Sequence, residues 1–501
     1  MSEGRKFLQE AYLTSIEKPI ILLKSGRSAK GKKSAGSHTG SLAGMNEVSR
    51  RAFERAGIIV IENYDELFPV AETLSSQPPI KNNNIAVLAD GGGHATIAAD
   101  LLSDYGIGLP ELSTITQYKL KKILPESASV ANPVDVASGT DADPNLFADC
   151  AKIILKDPNV GGLLVVGLFG GYGIRFDKSL SFGEEAAAHR LGAMAKKKNK
   201  PIFVHSLYNT YPSHALDLLR HYDIPVHDSL DIACKCMASL CKYGEYLKSY
   251  HIKTNFVFNW RTKALREGIR IIETARKDGR RVFLEHEAKE LIRLHGGART
   301  NPGRMARNED EAWQEASHFN SNIALKIVSP DILHKSDARG VILDLVSEEE
   351  ILNGYREIMS NALAYKPDAD IRGVLVSPME KKGLEIIIGT KVDDQFGPVI
   401  MYGLGGIMVE IMKDVTFWVL PVSPVSSRKM IEDTRSSILL NGVRGQPGYD
   451  KKSLQKLISI CSELIEAYPE IQEMDLNPVM LYHQGLSIVD ARIILTPNEF
   501  E

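Results

Sequence analysis

Between about residues 81 and 250, short apolar runs alternate with helix-length stretches. NIAVLAD, LLSDYG, GGLLVVGLFG and KPIFVHSL follow one another in that order. This alternation predicts parallel sheets with helices on both faces, an α/β fold. Before it, residues 1–80 carry a helix (RKFLQEAYLTSI), a strand (PIILLKSG), a Gly/Ser/Lys-rich loop, a helix to about Ala56 and a strand (IIVIEN). Two strands do not close a doubly wound sheet, and a two-stranded sheet alone is marginal in water. The segment is therefore expected to gain sheet from the next domain or from another chain. Residues 251–282 are rich in Lys and Arg and read as a solvated helical linker. Residues 283–498 mix strands and helices in an α+β pattern, with IALKIV, RGVLVSPM, LEIIIGT, PVIMYGL, MDLNPVMLY and LSIVDARIIL as strands.

Composition narrows the class. The chain has 501 residues, 44% hydrophobic and 25% charged, with a formal charge of -3. That balance suits a soluble globular protein of about three domains and gives no reason to expect a nucleic-acid partner. No apolar run approaches the roughly 20 residues of a membrane span, and MSEGRKFLQEAY has no signal-peptide core. Five cysteines in a chain this long predict a reduced, cytoplasmic protein. Cys234, Cys236 and Cys241 lie close enough to raise a metal site. However, SLDIACKCMASLCKYGEYL reads as an amphipathic helix with cysteines in its core face.

Two loops offer phosphate chemistry. In Ser34–Gly44, glycines and small hydroxyl residues surround His38, and Val48, Ala52, Phe53 and Ala56 then mark a helical face. His38 thus precedes a helix N-terminus, where free N–H groups and the dipole favour an anion. Residue types alone leave open a phosphoryl carrier and a surface histidine. After strand NIAVLAD, Asp90-Gly91-Gly92-Gly93-His94 opens a helix, so Gly91, Gly92 and Gly93 form a candidate phosphate cradle; His94 reads as a tolerated loop residue.

The last domain has charges set in apolar strands. Lys326 interrupts IALKIV, Glu385 interrupts LEIII, Asp475 and Asn477 sit in MDLNPV, and Asp490 sits in IVDARI. Unpaired charges are costly to bury. A shared partner such as Mg²⁺ with a nucleoside triphosphate would account for them, lysine reaching phosphate oxygens and Asp and Asn oxygens the cation. Solvent-facing strand ends and internal salt bridges are the competing explanations. His334, in the polar loop SPDILHKSD, is a second candidate phosphate carrier or a plain loop histidine.

From about residue 5 to 498 the chain resembles NDP-forming acyl-CoA synthetases, relatives of succinyl-CoA synthetase. SHTGSLAG resembles their phosphohistidine loop. AVLADGGGHATIAADLLSDYGIGLPEL and NPVDVASG resemble the following succinyl-CoA-ligase-like, flavodoxin-like domain. LEHEAKELI, ALKIVSPDILHKSD, GVLVSPM, GLEIIIGTKVDDQFGPVIMYGLGGIMVEIMKDV, EMDLNPV and VDARI resemble an ATP-grasp domain. The resemblance implies a partial phosphohistidine-bearing succinyl-CoA-ligase-like domain at 1–80, a second succinyl-CoA-ligase-like α/β domain at 81–250, a linker at 251–282 and an ATP-grasp domain at 283–498. It implies ATP or another NTP, Mg²⁺, CoA and a small carboxylic acid as reactants, joined through acyl phosphate. His38 would carry phosphoryl, His334 would relay it and Asp475 would orient it. Lys326 and Glu385 would serve the nucleotide, with Val374, Leu375, Val376 and Met379 near adenine and Asn477 and Asp490 on Mg²⁺. The family's CoA-binding first domain has no counterpart in the sequence, which implies a CoA-binding partner subunit or a homo-oligomer. His94 stands where the family has a small residue or proline, and Arg339 where it has glycine.

Overall fold

The computed structural model describes residues 3–25, 46–137, 139–197, 199–250, 262–296, 298–332, 334–406, 414–442, 445 and 447–497. It divides into two units, built mainly of residues 53–254 and of residues 255–501.

In the first unit β1 (Ile20–Leu23) and β2 (Ile58–Ile61) pair in parallel as a sheet of their own. A second, parallel sheet contains β3 (Ile85–Ala89), β4 (Val134–Asp135), β5 (Gly162–Gly167), β6 (Ile202–Ser206) and β7 (Val226–His227), in the order β4-β3-β5-β6-β7. Every residue of β3, β5 and β6 is buried, because helices cover both faces of the sheet. Ala86 and Leu88 face one core with Phe147 and Leu191; Ile85, Val87 and Ala89 face the other with Met237. In this order the winding of successive strands reverses between β3 and β5, and ligands of such sheets bind beyond the strands' carboxyl ends.

The short first segment gains packing from its neighbour, and among the described residues it gains no further strand. Ile59, Ile61 and Val70 share one core with Cys234, Cys236, Cys241 and Tyr246. The three cysteines lie on the buried side of helix Leu230–Tyr250. Burial pushes their thiols up, to about 12, 11 and 12, so they pack as small apolar groups.

The second unit holds two antiparallel sheets. β8 (Arg304–Ala306), β9 (Ile323–Val328), β10 (Val341–Leu345) and β11 (Gly373–Pro378) form one, in the order β10-β9-β11-β8. The other contains β12 (Leu384–Asp393), β13 (Gly397–Leu404), β14 (Val415–Val419), β15 (Ile471–Leu481), β16 (Leu486–Ile488) and β17 (Ala491–Leu495); its order is β14-β13-β12-β15-β16, with β17 also on β15. The segment expected as a solvated linker carries helix Thr262–Lys277. Its Ala264, Gly268, Ile272 and Ala275 are buried and its Arg266, Arg270 and Lys277 exposed; Ile272 and Ala275 belong to the core of the second unit. Solvation thus applies only to the outer face of this helix.

Strand alternation positions the site. Met474, Leu476 and Val479 of β15 and Ala491 and Ile493 of β17 pack into the core with helices Glu285–Gly296 and Lys451–Ala467. Asp475 and Arg492 are paired across β15 and β17 and take the opposite face.

Candidate functional site

A cavity of about 210 Å³ in the second unit is lined by Glu285, His334, Lys335, Asp475, Asn477, Asp490 and Arg492, with apolar walls from Phe283, Ile327 and Val341. Its floor is a charge cluster. Glu285, in the first turn of helix Glu285–Gly296, is 4% exposed. Its Oε1 accepts from Lys289 Nζ at 2.7 Å and Lys326 Nζ at 3.1 Å, and its Oε2 from Lys335 Nζ at 2.5 Å. Lys335 also donates to both Asp490 oxygens, at 2.9 and 2.8 Å. Lys326 also donates to the Val489 carbonyl at 2.9 Å. Burial pushes the Glu285 carboxyl up, but Lys326, Lys335 and Lys289 outweigh it and hold the group well below the usual carboxylate range. Burial lowers Lys289, with Glu285 opposing. For Lys335, burial is overcome by Glu285 and Asp490, which raise its ammonium above the usual lysine value.

At the rim, Arg492 Nη1 lies 3.4 Å from His334 Nε2 and Nη2 donates to Glu473 at 2.8 Å. A guanidinium only donates, so this contact sets the Nε2 edge of the ring against a donor. Asp475 Oδ2 is 3.9 Å from Arg492. Burial raises the Asp475 carboxyl, and Arg492 only partly offsets it.

Of the residues read as charges inside strands, only Lys326 is buried, at 4% exposure. Asp475 and Asp490 are half-buried and Asn477 is exposed, all three on the cavity wall. Glu385 is exposed and outside the lining. It stands four residues along β12 from Gly389, the partner of Asp475, which is ~13 Å of strand. Val374 and Val376 pack in the core on the far side of their sheet, with Leu325 and Ile327. Leu375 is the register partner of Lys326 and shares its face. Met379 is half-buried and its N–H donates to the Asn322 carbonyl at 2.8 Å. Glu285, Lys335 and Arg492 escaped the sequence reading. Glu285 sits in the charged run LEHEAKE, which looks like a solvated helix, and Lys335 in a polar loop. Arg339 adopts φ 47°, the left-handed region where glycine is favoured.

The donor set suits a hard cation. Asp490, Asp475 and Asn477 offer oxygens to one cavity, although no group of three His, Cys, Asp or Glu among the described residues is arranged to hold a metal alone. Mg²⁺ commonly takes one or two carboxylates and completes its shell with phosphate and water, and these residues fit that mode.

A second polar cluster lies at the carboxyl end of β3, in the first unit. Helix Gly92–Asp104 starts at Gly91, which supplies no side-chain cap, and nothing lies within 4 Å of a Cβ built at Gly91 or Gly93. Its first N–H groups suit an anion. His94 lies in the first turn of this helix, not in the loop before it, with Nδ1 3.5 Å from Asp90 Oδ1. Asp90 Oδ2 accepts from the Leu168 N–H at 2.6 Å and the Tyr172 hydroxyl at 3.0 Å. Burial raises the Asp90 carboxyl against these hydrogen bonds and His94. His38 lies outside the described residues.

The chain matches two family models, an ATP-grasp domain over residues 274–495 and a succinyl-CoA ligase-like flavodoxin domain over residues 1–74. It is similar to the 4-hydroxybutyrate–CoA ligase (ADP-forming) of Nitrosopumilus maritimus, 33% identical over 498 residues, or 98% of this chain and 69% of that protein. It is similar to the acetate–CoA ligase (ADP-forming) of Methanocaldococcus jannaschii, 35% identical over 509 residues, with the same two shares of 98% and 69%. The beta subunit of acetate–CoA ligase (ADP-forming) II of Pyrococcus furiosus is 43% identical over 232 residues, covering 46% of this chain and 98% of that subunit.

Proposed function

We infer the function from one premise: this chain belongs to the family of ADP-forming acyl-CoA synthetases. It is an acid–CoA ligase component, forming acyl-CoA at the expense of ATP or making ATP in reverse. The alternative, a non-catalytic or regulatory nucleotide-binding protein, is the weaker reading, because the relatives it matches are named as ligases. One observation carries the residue assignments: Lys335 meets Glu285 and Asp490 in the wall of the cavity that Asp475 and Asn477 line, and Lys326 meets the same two carboxylates from behind that wall.

In the proposed reaction Lys326 binds the phosphates and Leu375, beside it on the same sheet face, flanks the base. Asn477 and Asp490 would hold Mg²⁺, which would supply neutralisation of the phosphate charge. His334 presents Nε2 as the nucleophile toward the γ-phosphorus, the P–O bond to ADP breaking as the N–P bond forms and ADP leaving, and Asp475 orients the phosphohistidine that visits the cavity. His38 carries the phosphoryl group between this cavity and the acid, whose carboxylate becomes acyl phosphate. The helix N-terminus at Gly91–Gly93 cradles that phosphate. The CoA thiolate then displaces inorganic phosphate to give the thioester. The acid is a small carboxylic acid, and the protein works in the cytoplasm with a CoA-binding domain or subunit.

Calorimetry tests the nucleotide assignment. Mg-ATP is expected to bind, and Lys326→Met to weaken it about 10–100-fold, the equivalent of one charged hydrogen bond of about 1.5–3 kcal/mol. Equal affinity in the variant removes Lys326 from the site.

A further inference from the structure

Of the three lysines on Glu285, only Lys335 lines the cavity. Its side chain is 18% exposed, against 5% for Lys326 and 7% for Lys289. It spans two carboxylates, Glu285 at 2.5 Å and Asp490 at 2.8 and 2.9 Å. Both oxygens of Asp490 are thus engaged by one ammonium group, and Oδ1 also accepts the Ala491 N–H at 2.8 Å. The side chain assigned to a divalent cation is already holding a cation.

We propose that Lys335 is the placeholder for the metal on Asp490 and yields that carboxylate only when metal arrives with a phosphate to receive the displaced ammonium. The inference rests on the nucleotide reading of the cavity. Mg²⁺ approaches its oxygens to about 2.0–2.1 Å, and an ammonium group on the same oxygens would stand within a few ångströms of it. Two cations that close repel strongly where water is scarce. Three lysines against Glu285 and Asp490 already leave the cluster with an excess positive charge. A bare divalent cation would increase that excess, whereas a polyphosphate brings the charge that both cations then share. Glu285 does not depend on Lys335, because Lys289 and Lys326 stay on its Oε1. Lys335 also opens the turn Lys335–Gly340, closed by the Gly340 N–H on the Lys335 carbonyl at 2.8 Å. Its exchange is therefore felt next door at His334. Lys335 acts as a positioning residue that keeps Asp490 aimed into the cavity and bars free metal from it.

The test measures Mn²⁺ binding to the nucleotide-free 501-residue chain by electron paramagnetic resonance. Lys335→Met is expected to tighten Mn²⁺ about tenfold or more, Lys335→Arg to leave it weak, and Asp490→Asn added to Lys335→Met to abolish the gain. Lys335→Gln, which keeps a hydrogen-bonding group for Glu285, repeats the measurement if the methionine variant does not fold. Mn²⁺ affinity in folded Lys335→Met or Lys335→Gln that is no tighter than in the parent overturns the proposal, as does a gain that survives Asp490→Asn. Mg-ATP calorimetry on the parent separates the two failures: binding there with no Mn²⁺ gain in the variants sinks only the placeholder, whereas no Mg-ATP binding sinks the nucleotide reading itself.

Discussion

Glu285 is the anion on which three lysine ammonium groups converge. Its removal therefore costs more than its own hydrogen bonds. Glu285→Gln leaves buried Lys289 and Lys326 without a counter-charge, and breaking such a cluster costs about 3–5 kcal/mol. The pH dependence follows from the direction of the shift. A carboxyl held below its ordinary value contributes stability that is complete above about 4.5 and is lost as pH falls through the lowered value. Urea unfolding at neutral pH is expected to show the deficit, and an acid series to show the gap between parent and variant closing; a constant gap down to low pH contradicts it. The histidines give a second residue-scale outcome. With radiolabelled ATP, a stable acid-labile label is expected on the parent, whereas His38→Ala is expected to keep only a transient label on the relay, His334. A stable label that persists in His38→Ala and vanishes in His334→Ala makes His334, not His38, the terminal carrier.

At the scale of elements, the carboxyl ends of β3 and β5 must approach closely for Asp90 to reach the Leu168 N–H. Gly167, at φ 130°, makes this possible, because a Cβ there would lie 1.8 Å from Asp90 Oδ1. Gly167→Ala is expected to destabilise the first unit by about 2–4 kcal/mol, combining backbone strain with overpacking. Denaturant unfolding reads the loss, and a loss below about 1 kcal/mol would mean that the carboxyl ends of the central strands relax around the methyl group. Strand alternation explains the other site in the same way. β15 and β17 commit one face to the core, and the face left over is the only place for Asp475 and Arg492. Glu385 obeys the same alternation on β12 but stands too far along its strand to join them.

At the scale of the molecule, the chain covers 69% of the two long relatives. Within the described residues, the β1–β2 sheet has two strands and open edges, and exposed edges invite pairing. Acyl-CoA formation from acid, CoA and ATP is expected to be undetectable with the 501-residue chain alone and to recover when the CoA-binding half of a relative is supplied. A thiol without a positioned docking site forfeits up to 10⁵-fold or more, on the order of what orientation contributes. Full turnover by this chain alone would place CoA binding within it.

Local pattern was enough to read the longer strands of both units in order, because alternation and run length are properties of neighbouring residues; it passed over the short or edge strands β4, β7, β8, β10 and β14 and ran β16 and β17 together. The same logic singled out Lys326, Asp475, Asn477 and Asp490, each a polar residue among apolar ones, and the fold brings the last three to one cavity. It gave Glu385 the same weight, since a strand's open face and a cavity wall look alike in one dimension. It passed over Glu285 and Lys335, whose neighbours in sequence are polar. Their meaning comes from pairing across 41 residues for Lys326 with Glu285 and 155 for Lys335 with Asp490. Nor did composition show that the Lys- and Arg-rich linker turns an apolar stripe into the core, or that the short first segment shares a core with its neighbour. Burial and charge pairing depend on what packs opposite, so the sequence determined which elements form, and the tertiary structure decided which charges meet.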